Sequence, residues 1–467
     1  MNIKHIFLIF TIIAATNAVK KSYEGYKVYK VIPKTEDDVK ILNIVQELGI
    51  GEFWDDNVSV KSDAKIMVSR DLQNEFLTQM EQAQIEVTEV ISDLQKVIDD
   101  QLTPAKPKSR FERESFHSMS WDRYYSLSEI HAWLDQLNTS YPNIVQTVTW
   151  GRSNENRELK GIIINYHPQR AGQLKAVIEG AVHAREWITP ATATWIIKEF
   201  LTSNDREVRA LAEGFEWHIL PVANPDGYSY TFTNNRMWRK NRNTSYNRTC
   251  ATNVDDDMSN GVDLNRNFDF NWMSIGASND PCSNTFAGSA GFSEPESRAI
   301  SNYVRDLNSD GQLIYYLAFH SYTQLVIVPY SHITSADDVL EAENYANMFE
   351  IGARSADRLR ERFGTTYRVG VSADVMYPMS GTSFDWVKNA TDVPVCFLLE
   401  FRDLGEYGFL LPPEQIIPNG MEAMDFLLEM DQTTRILGYY DPARSGSNSL
   451  FKSLLVLVFS ILAALNA

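Results

Sequence analysis

Hydrophobic and polar positions along this chain follow two different rhythms. From Glu24 to about Leu102, short alternating runs are interleaved with amphipathic stretches. Tyr26 to Ile32 predicts a strand, and Thr35-Glu-Asp-Asp38 reads as the acidic start of a helix whose inner side carries Ile41, Leu42, Val45 and Leu48. Lys65 to Ser69 predicts a second strand, with Asp71 placed to cap a helix running to Gln84. Ile85 to Ile91 predicts a third strand, and Asp93 to Leu102 a closing helix. The result is a small α+β unit. From about Ser118 to Met430 the runs become apolar on both faces: Leu174 to Ile178, Trp217 to Val222, Leu313 to Phe319, Leu325 to Val328 and Val395 to Phe401. Such runs, separated by helical segments, predict an α/β block with a mixed, twisted sheet covered by helices on both faces.

Between the two units, Thr103 to Glu114 is rich in proline and basic residues and lacks apolar periodicity, as in an exposed linker. Its Lys and Arg side chains, Arg110 and Arg113 among them, invite trypsin-like cleavage; a permanent tether is the other reading. With 467 residues, 44% of them hydrophobic, the chain has material for two cores. A formal charge of -18 with no Lys/Arg-rich run argues against nucleic-acid binding.

The ends change the picture again. Lys4, the apolar run Ile6 to Ala15 and a small-residue site ending at Ala18 have the layout of a secretory signal. Five Asn-x-Ser/Thr sequons, at Asn57, Asn138, Asn243, Asn247 and Asn389, agree with export and glycosylation. Cys250 and Cys282 flank a polar, loop-rich stretch and are placed to form a disulfide worth roughly 3–4 kcal/mol, while Cys396 reads as a buried thiol in a core strand. After Asp441 to Ser449, the run Leu454 to Leu465 is shorter than the roughly 20 residues that span a bilayer. Small residues, a polar spacer and this hydrophobic tail match a glycosylphosphatidylinositol (GPI) anchor signal; a helix packed on the core and an uncleaved anchor are the alternatives.

The chemistry-bearing residues cluster at the ends of the apolar runs. His183 and Glu186, three residues apart after Leu174 to Ile178, form a pair able to bite one metal ion. With a distant third ligand they leave one position of a tetrahedral zinc open to water. His320 emerges from the run before it, at the sheet edge where α/β proteins place their ligands, and Asp263 is a candidate to orient one imidazole. Glu400 steps out of an apolar strand, either as a partner of Arg402 or as a general base with a raised pKa. Asn265 beside Arg266 suits a bidentate grip on a substrate carboxylate, and Arg239 suits an oxyanion.

Taken together, His183-Ala-Arg-Glu186, Asn224-Pro-Asp-Gly227, Arg236-Met-Trp-Arg239-Lys240, Asp263-Leu-Asn-Arg266-Asn267, His320-Ser-Tyr322 and Glu400-Phe-Arg-Asp403 resemble, in order, the motifs of zinc metallocarboxypeptidases of the pancreatic A/B type. The resemblance runs from about Tyr23 to Met430 and implies a zinc carboxypeptidase fold preceded by an α+β activation domain. The boundaries it implies are a signal peptide over 1–18, an activation propeptide with its basic cleavage linker over 19–113, a catalytic domain over 114–432 and a tail over 433–467. It further implies one zinc ion held by His183, Glu186 and His320, Glu400 as general base, and Arg239 polarising the scissile carbonyl. Asn265, Arg266 and Tyr377 would receive the terminal carboxylate, and Arg185, Tyr322 and Phe409 would line the cleft. Cys250 and Cys282 fall where the family has a disulfide, although a longer loop through Asp255-Asp-Asp257 follows the first.

The implied activity is hydrolysis of the last peptide bond of peptides and proteins by a secreted zymogen that a trypsin-like protease activates. A lipid anchor would attach it to the cell surface. Family members that prefer basic termini carry an acid where this chain has Phe384, in Ser383-Phe-Asp-Trp386. Phe384, with Met376 and Met379 nearby, therefore points to hydrophobic or aromatic C-terminal residues. A deacylase on the same scaffold and a catalytically dead binding module are the rival readings.

Overall fold

The computed structural model describes residues 20–54, 58–106, 116–246, 248–251, 253, 256–334 and 338–441. The signal run, the sequons at Asn57 and Asn247, Arg110, Arg113, Asp255 and the tail after Asp441 lie outside them. The small unit contains β1 (Lys27–Val31), α1 (Glu36–Glu47), β2 (Glu52–Phe53), β3 (Ala64–Val68), α2 (Gln73–Gln82), β4 (Val87–Ile91) and α3 (Leu94–Leu102). Its sheet has the order β2-β3-β1-β4 and is antiparallel throughout. The acidic start of α1 is a reciprocal cap between Thr35 and Asp38, and Asp93 caps α3.

Two local expectations are corrected, and one strand went unread. Leu48 lies beyond α1 and is exposed, because the helix ends at Glu47 and turns the chain outward. Asp71 caps nothing: it sits inside a short 3₁₀ turn, Arg70–Leu72, that leads into α2. The two-residue strand β2 was too short to leave a periodic signal.

The large unit contains α4 (Leu127–Ser140), β5 (Val145–Arg152), β6 (Glu158–Ile164), β7 (Lys175–Glu179), α5 (Ile188–Thr202), α6 (Arg206–Gly214), β8 (Glu216–Leu220) and α7 (Pro225–Thr233). It continues with α8 (Pro295–Leu307), β9 (Leu313–Ser321), β10 (Leu325–Val328), α9 (Tyr345–Phe363), β11 (Arg368–Val371), α10 (Ser372–Val375), α11 (Ser383–Thr391), β12 (Val395–Phe401) and α12 (Ile416–Ile436). Its eight strands run in the order β11-β10-β12-β9-β7-β8-β6-β5. The four central ones, β12, β9, β7 and β8, are mutually parallel, with antiparallel pairs flanking them.

Alternation along the central strands builds two cores. In β12, Val395, Phe397, Leu399 and Phe401 enter the larger core under α4, α5, α6, α9 and α12, while Cys396 and Leu398 enter the core under α8 and α11. Side chains pointing to opposite faces at a period of two explain why these strands are apolar on both sides. Parallel pairing also brings the ends of β7, β9 and β12 to one edge, and β7 is where successive strands turn to opposite sides. Such a switch point opens a crevice.

The small unit packs over that edge. Tyr23, Val28, Trp54, Met67, Ile91, Leu94 and Ile98 form one apolar cluster with Met237, Tyr322, Phe409 and Leu410 of the large unit. Gln101 at the end of α3 donates to the carbonyls of Phe409 (3.1 Å) and Leu411 (3.2 Å) and accepts from Arg236 Nε (2.8 Å). Among the described residues, no helix is long and apolar enough to cross a membrane.

Candidate active site

His183 and Glu186 occupy the turn between β7 and α5. That turn is tight: a Cβ on Gly180 would lie 2.9 Å from the carbonyl oxygen of Pro221, so only glycine lets the chain leave β7 so close to the neighbouring strand end. His320 stands near the end of β9, and parallel pairing sets Glu400 of β12 directly opposite it. Three chain segments far apart in sequence thus meet at one sheet edge.

The ligating atoms of His183, Glu186 and His320 all lie within 4.8 Å of one another, and all three residues are buried. His183 Nε2 faces Asp263 Oδ1 at 3.1 Å, which assigns the proton to that nitrogen and leaves Nδ1 a bare acceptor. Yet Nδ1 points at Glu186 Oε1 (2.7 Å) and at His320 Nδ1 (3.2 Å), and His320 Nδ1 lies 3.2 Å from Glu186 Oε2. Lone pairs converging in a buried space repel unless a cation sits among them. Ligands about 2.05 Å from a tetrahedral zinc stand ~3.3 Å apart, close to these spacings. The residues therefore fit a zinc ion.

Charges around the cluster keep it ionised. Burial alone would push the Glu186 carboxyl up, but His183 and His320 beside it outweigh burial and hold it below the ordinary carboxylate range. Asp263, wholly buried, is likewise held well down: burial opposes its charge, and Arg239, His183 and Arg266 overcome that. Arg239 donates to Asp263 Oδ2 through Nη2 (2.8 Å) and Nε (3.2 Å), with Nη1 4.0 Å from Glu186 Oε1. Asp263 also caps the 3₁₀ turn Leu264–Arg266 by accepting from the Asn265 amide at 2.9 Å. One carboxylate thus aligns an imidazole, an arginine and the turn carrying Asn265 and Arg266.

A cleft of about 450 Å³ runs past this cluster and is lined by Glu400, Arg239, Asn265, Arg266, Tyr322, Tyr377 and Phe409 together with the metal-ligand candidates. Arg402 is not the partner of Glu400: it makes a two-point contact with Glu422 (2.7 and 2.5 Å) and reaches Gln415 and Thr365. Glu400 lines the cleft. Asn265 Oδ1 accepts from the Ser383 amide at 3.0 Å, which turns its Nδ2 to the other side. Arg185 donates to the Trp54 carbonyl at 2.9 Å and lies 4.0 Å over the Phe409 ring, which packs on Tyr322.

Two residues expected to line the cleft, Arg185 and Phe384, are not among those that do, and Arg185 is fully buried. Phe384 is fully buried in the core under α8 and α11, where its turn of α11 faces the sheet instead. Met376, Met379, Leu398, Leu325 and Val375 form the apolar wall in its place. The residues that sequence reasoning missed belong to the small unit: Trp54, Lys61, Asp63 and Lys65 line the same cleft from above. Their local signal was weak, since a tryptophan in a polar stretch reads as a surface residue until a second domain is placed against it. Cys250 and Cys282 are disulfide-bonded, and Cys396 is a buried free thiol.

A buried imidazole-carboxylate cluster that calls for a cation, in one cleft with a further glutamate and two arginines, defines a metal-dependent hydrolase. Residues 130–426 match the zinc carboxypeptidase family and residues 29–101 match the carboxypeptidase activation peptide, so the chain belongs to the zinc carboxypeptidases and carries its own activation peptide. It is 38% identical to zinc carboxypeptidase A 1 of Anopheles gambiae over 90% of this chain and 92% of that one. It is 32% identical to carboxypeptidase B of Bos taurus over 90% and 95% respectively. Among solved structures, carboxypeptidase A from Helicoverpa armigera superposes with a TM-score of 0.76 at 28% identity, covering 90% of this chain and 99% of that one. Thrombin-activatable fibrinolysis inhibitor gives 0.77 at 25%, covering 88% and 100%. The protein is a metallohydrolase that uses one catalytic zinc, acts on peptide C-termini and is made as a zymogen activated by proteolysis.

Proposed function

We propose that His183, Glu186 and His320 hold the zinc and that this cleft removes single residues from peptide C-termini, with a preference for hydrophobic or aromatic ones. Zinc so bound supplies Lewis acidity and acidifies a water molecule. Glu400, set opposite His320 by strand pairing, takes the proton of the attacking water and passes it to the leaving amine. Arg239, fixed by Asp263, offers its guanidinium to the oxygen on which charge develops. Asn265, Arg266 and Tyr377 receive the terminal carboxylate, which measures out one residue from the metal. Tyr322 and Phe409 bind the preceding part of the peptide. The observation that carries this reading is the convergence of bare acceptor atoms on His183, Glu186 and His320 in the cleft that also holds Glu400, Asn265 and Arg266.

The preference rests on the apolar wall of Met376, Met379, Leu398, Leu325 and Val375. Cleavage near Arg110 or Arg113 by a trypsin-like protease would release the roof formed by Trp54, Lys61, Asp63 and Lys65. Export, glycosylation and attachment through a GPI anchor in 433–467 belong to the same reading, supported by the sequons and the apolar run Leu454 to Leu465. Release from membranes by a phosphatidylinositol-specific phospholipase tests the anchor.

The decisive experiment is Glu400→Gln in the trimmed enzyme. Zinc content stays at wild-type level while kcat falls by about 10²–10⁴; unchanged turnover removes Glu400 as the base. Peptides ending in Phe, Leu, Lys and Glu then test the preference, and fastest release of Lys contradicts it.

A further inference from the structure

Glu179 is a carboxylate at the end of an otherwise apolar run. It is the last residue of β7, points to the same side as Val177, towards the core under α8 and α11, and is wholly buried. It stands four residues before His183, yet it belongs neither to the metal-ligand candidates nor to the lining of the cleft. Taking a carboxyl group out of water is costly unless donors meet it. Two hydroxyls do: Tyr316, on the neighbouring strand β9, donates to Oε2, and Ser383 Oγ donates to Oε1, each at 2.5 Å.

Ser383 is the first residue of α11, and the first amides of a helix have no partner within it. The Ser383 amide donates instead to Asn265 Oδ1 at 3.0 Å. Asn265 is held from its other end by Asp263, whose Oδ1 accepts the Asn265 amide at 2.9 Å and faces His183 Nε2 at 3.1 Å. The turn before α11 is pressed against the same segment. Gly381, at φ +73°, accepts at its carbonyl from the Phe268 amide (3.0 Å), and a Cβ on it would lie 2.3 Å from the Arg266 carbonyl oxygen. Asn265 therefore has two supports. Asp263 ties its backbone to the metal-ligand cluster, while Glu179, through Ser383, ties its side chain to β7 and β9, the strands that lead to His183 and His320.

We infer that Glu179 is a positioning residue for the exopeptidase reaction: it fixes Ser383, whose amide engages Asn265 Oδ1 and so sets the direction in which Asn265 Nδ2 faces the peptide. This deepens the exopeptidase reading and rests on it. Glu179 acts through geometry alone. Without the Ser383 support the Asn265 amide is free to turn over, and a terminal carboxylate then meets an oxygen in place of a donor. A misplacement of about 1 Å in a bound group can lower the rate by about 10²-fold. An apolar residue at 179 would fill the same core and leave the Ser383 hydroxyl without its acceptor.

A double-mutant cycle on the trimmed, zinc-loaded enzyme, with a peptide ending in Phe, tests this. Glu179→Leu removes both acceptors and should lower kcat/KM by about tenfold or more, whereas Glu179→Gln still bonds both hydroxyls and should stay within about threefold of wild type. In an Asn265→Ala background, Glu179→Leu should lower kcat/KM by less than about twofold more, because the residue it positions is gone. Zinc content and inhibition by acetohydroxamate, a small metal-binding probe without a carboxylate, should not change in either Glu179 variant. Ser383→Ala deletes only the hydroxyl; it should lower kcat/KM by about threefold with the same dependence on Asn265, and it carries the test if Glu179→Leu does not fold. Losses that simply add to that of Asn265→Ala, acetohydroxamate inhibition that weakens in parallel, or wild-type kcat/KM in both Glu179→Leu and Ser383→Ala overturn the inference. Wild-type enzyme that releases no Phe would instead bring down the exopeptidase reading itself.

Discussion

Two buried carboxylate clusters in the large domain have the same burial and opposite chemistry. At the sheet edge, Glu186 and Asp263 stand among His183, His320 and Arg239; Arg239 donates to Asp263 and the Ser321 amide to Glu186, while ring nitrogens of His183 and His320 face the Glu186 oxygens and each other. Deeper in the domain, Glu294 and Glu296 meet amide donors instead. Asn154, Asn241 and Asn243 aim Nδ2 groups at them over 2.8–3.2 Å, and the Asn154 backbone amide adds another at 3.1 Å. The first cluster fits a metal ion; amide donors satisfy the second. Burial by itself makes neither a site. What decides is whether the surrounding groups complete the hydrogen bonds or leave lone pairs facing one another.

The largest effect should come from breaking the first cluster. His320→Ala is expected to lose zinc and to lower kcat/KM by about 10³-fold or more, measured by metal analysis and peptide hydrolysis. Retention of stoichiometric zinc and activity would remove His320 from the ligand set. Next, Asp263→Asn should weaken zinc binding by about 10–100-fold, because the amide no longer fixes the His183 tautomer or offsets Arg239. Competition with a chromogenic chelator reads this directly, and wild-type affinity would show that the tautomer is set elsewhere.

The second cluster breaks differently. Burial, with smaller contributions from Asp226 and Glu294, pushes Glu296 up to about 7 against an ordinary value of 4.5. Since the unfolded chain then releases its proton first, stability falls as pH rises from about 4.5 to 7, and the loss is complete above that. Glu296→Gln keeps a neutral acceptor in place and should flatten that decline, gaining about 1–3 kcal/mol at pH 7.5 and little at pH 4.5. Parallel thermal-melting curves for wild type and variant across this range would refute the assignment.

The mirror image of these clusters is Arg236, a buried cation without a carboxylate. It donates to the carbonyls of Arg185 and Phe409 and to Gln101 of the activation domain, and lies 3.7 Å over the Trp187 ring. Burial draws its pKa down to about 9. Gln101→Ala should loosen the roof by roughly 1 kcal/mol and raise the residual activity of the uncleaved zymogen about fivefold. Uncleaved variant with wild-type latency would place the restraint in other contacts.

Much of the active site was legible because its residues come in short motifs attached to apolar runs. His183 and Glu186 are local, and His320 and Glu400 each stand at the end of a run whose length marks a core strand. The activation domain was legible from alternation, down to the Thr35 and Asp93 caps. Strands β5 and β11 left too weak a signal, since they are the two edges of the large sheet, solvated on one side, and mix polar residues into the run. Phe384 was misplaced for a different reason. Sequence position told which helix carries it, but not which way that turn of α11 faces.

The sequence alone determined which residues are available for chemistry and at which strand ends they emerge, because strand periodicity and motif spacing are local properties. Tertiary structure decided the rest. Parallel pairing of β9 with β12 set Glu400 across from His320, and Asp263 reached back to orient His183. The docked activation domain put Trp54 and Lys65 over the cleft. These are contacts between residues far apart in the chain, and their geometry depends on how layers pack, which no local pattern encodes.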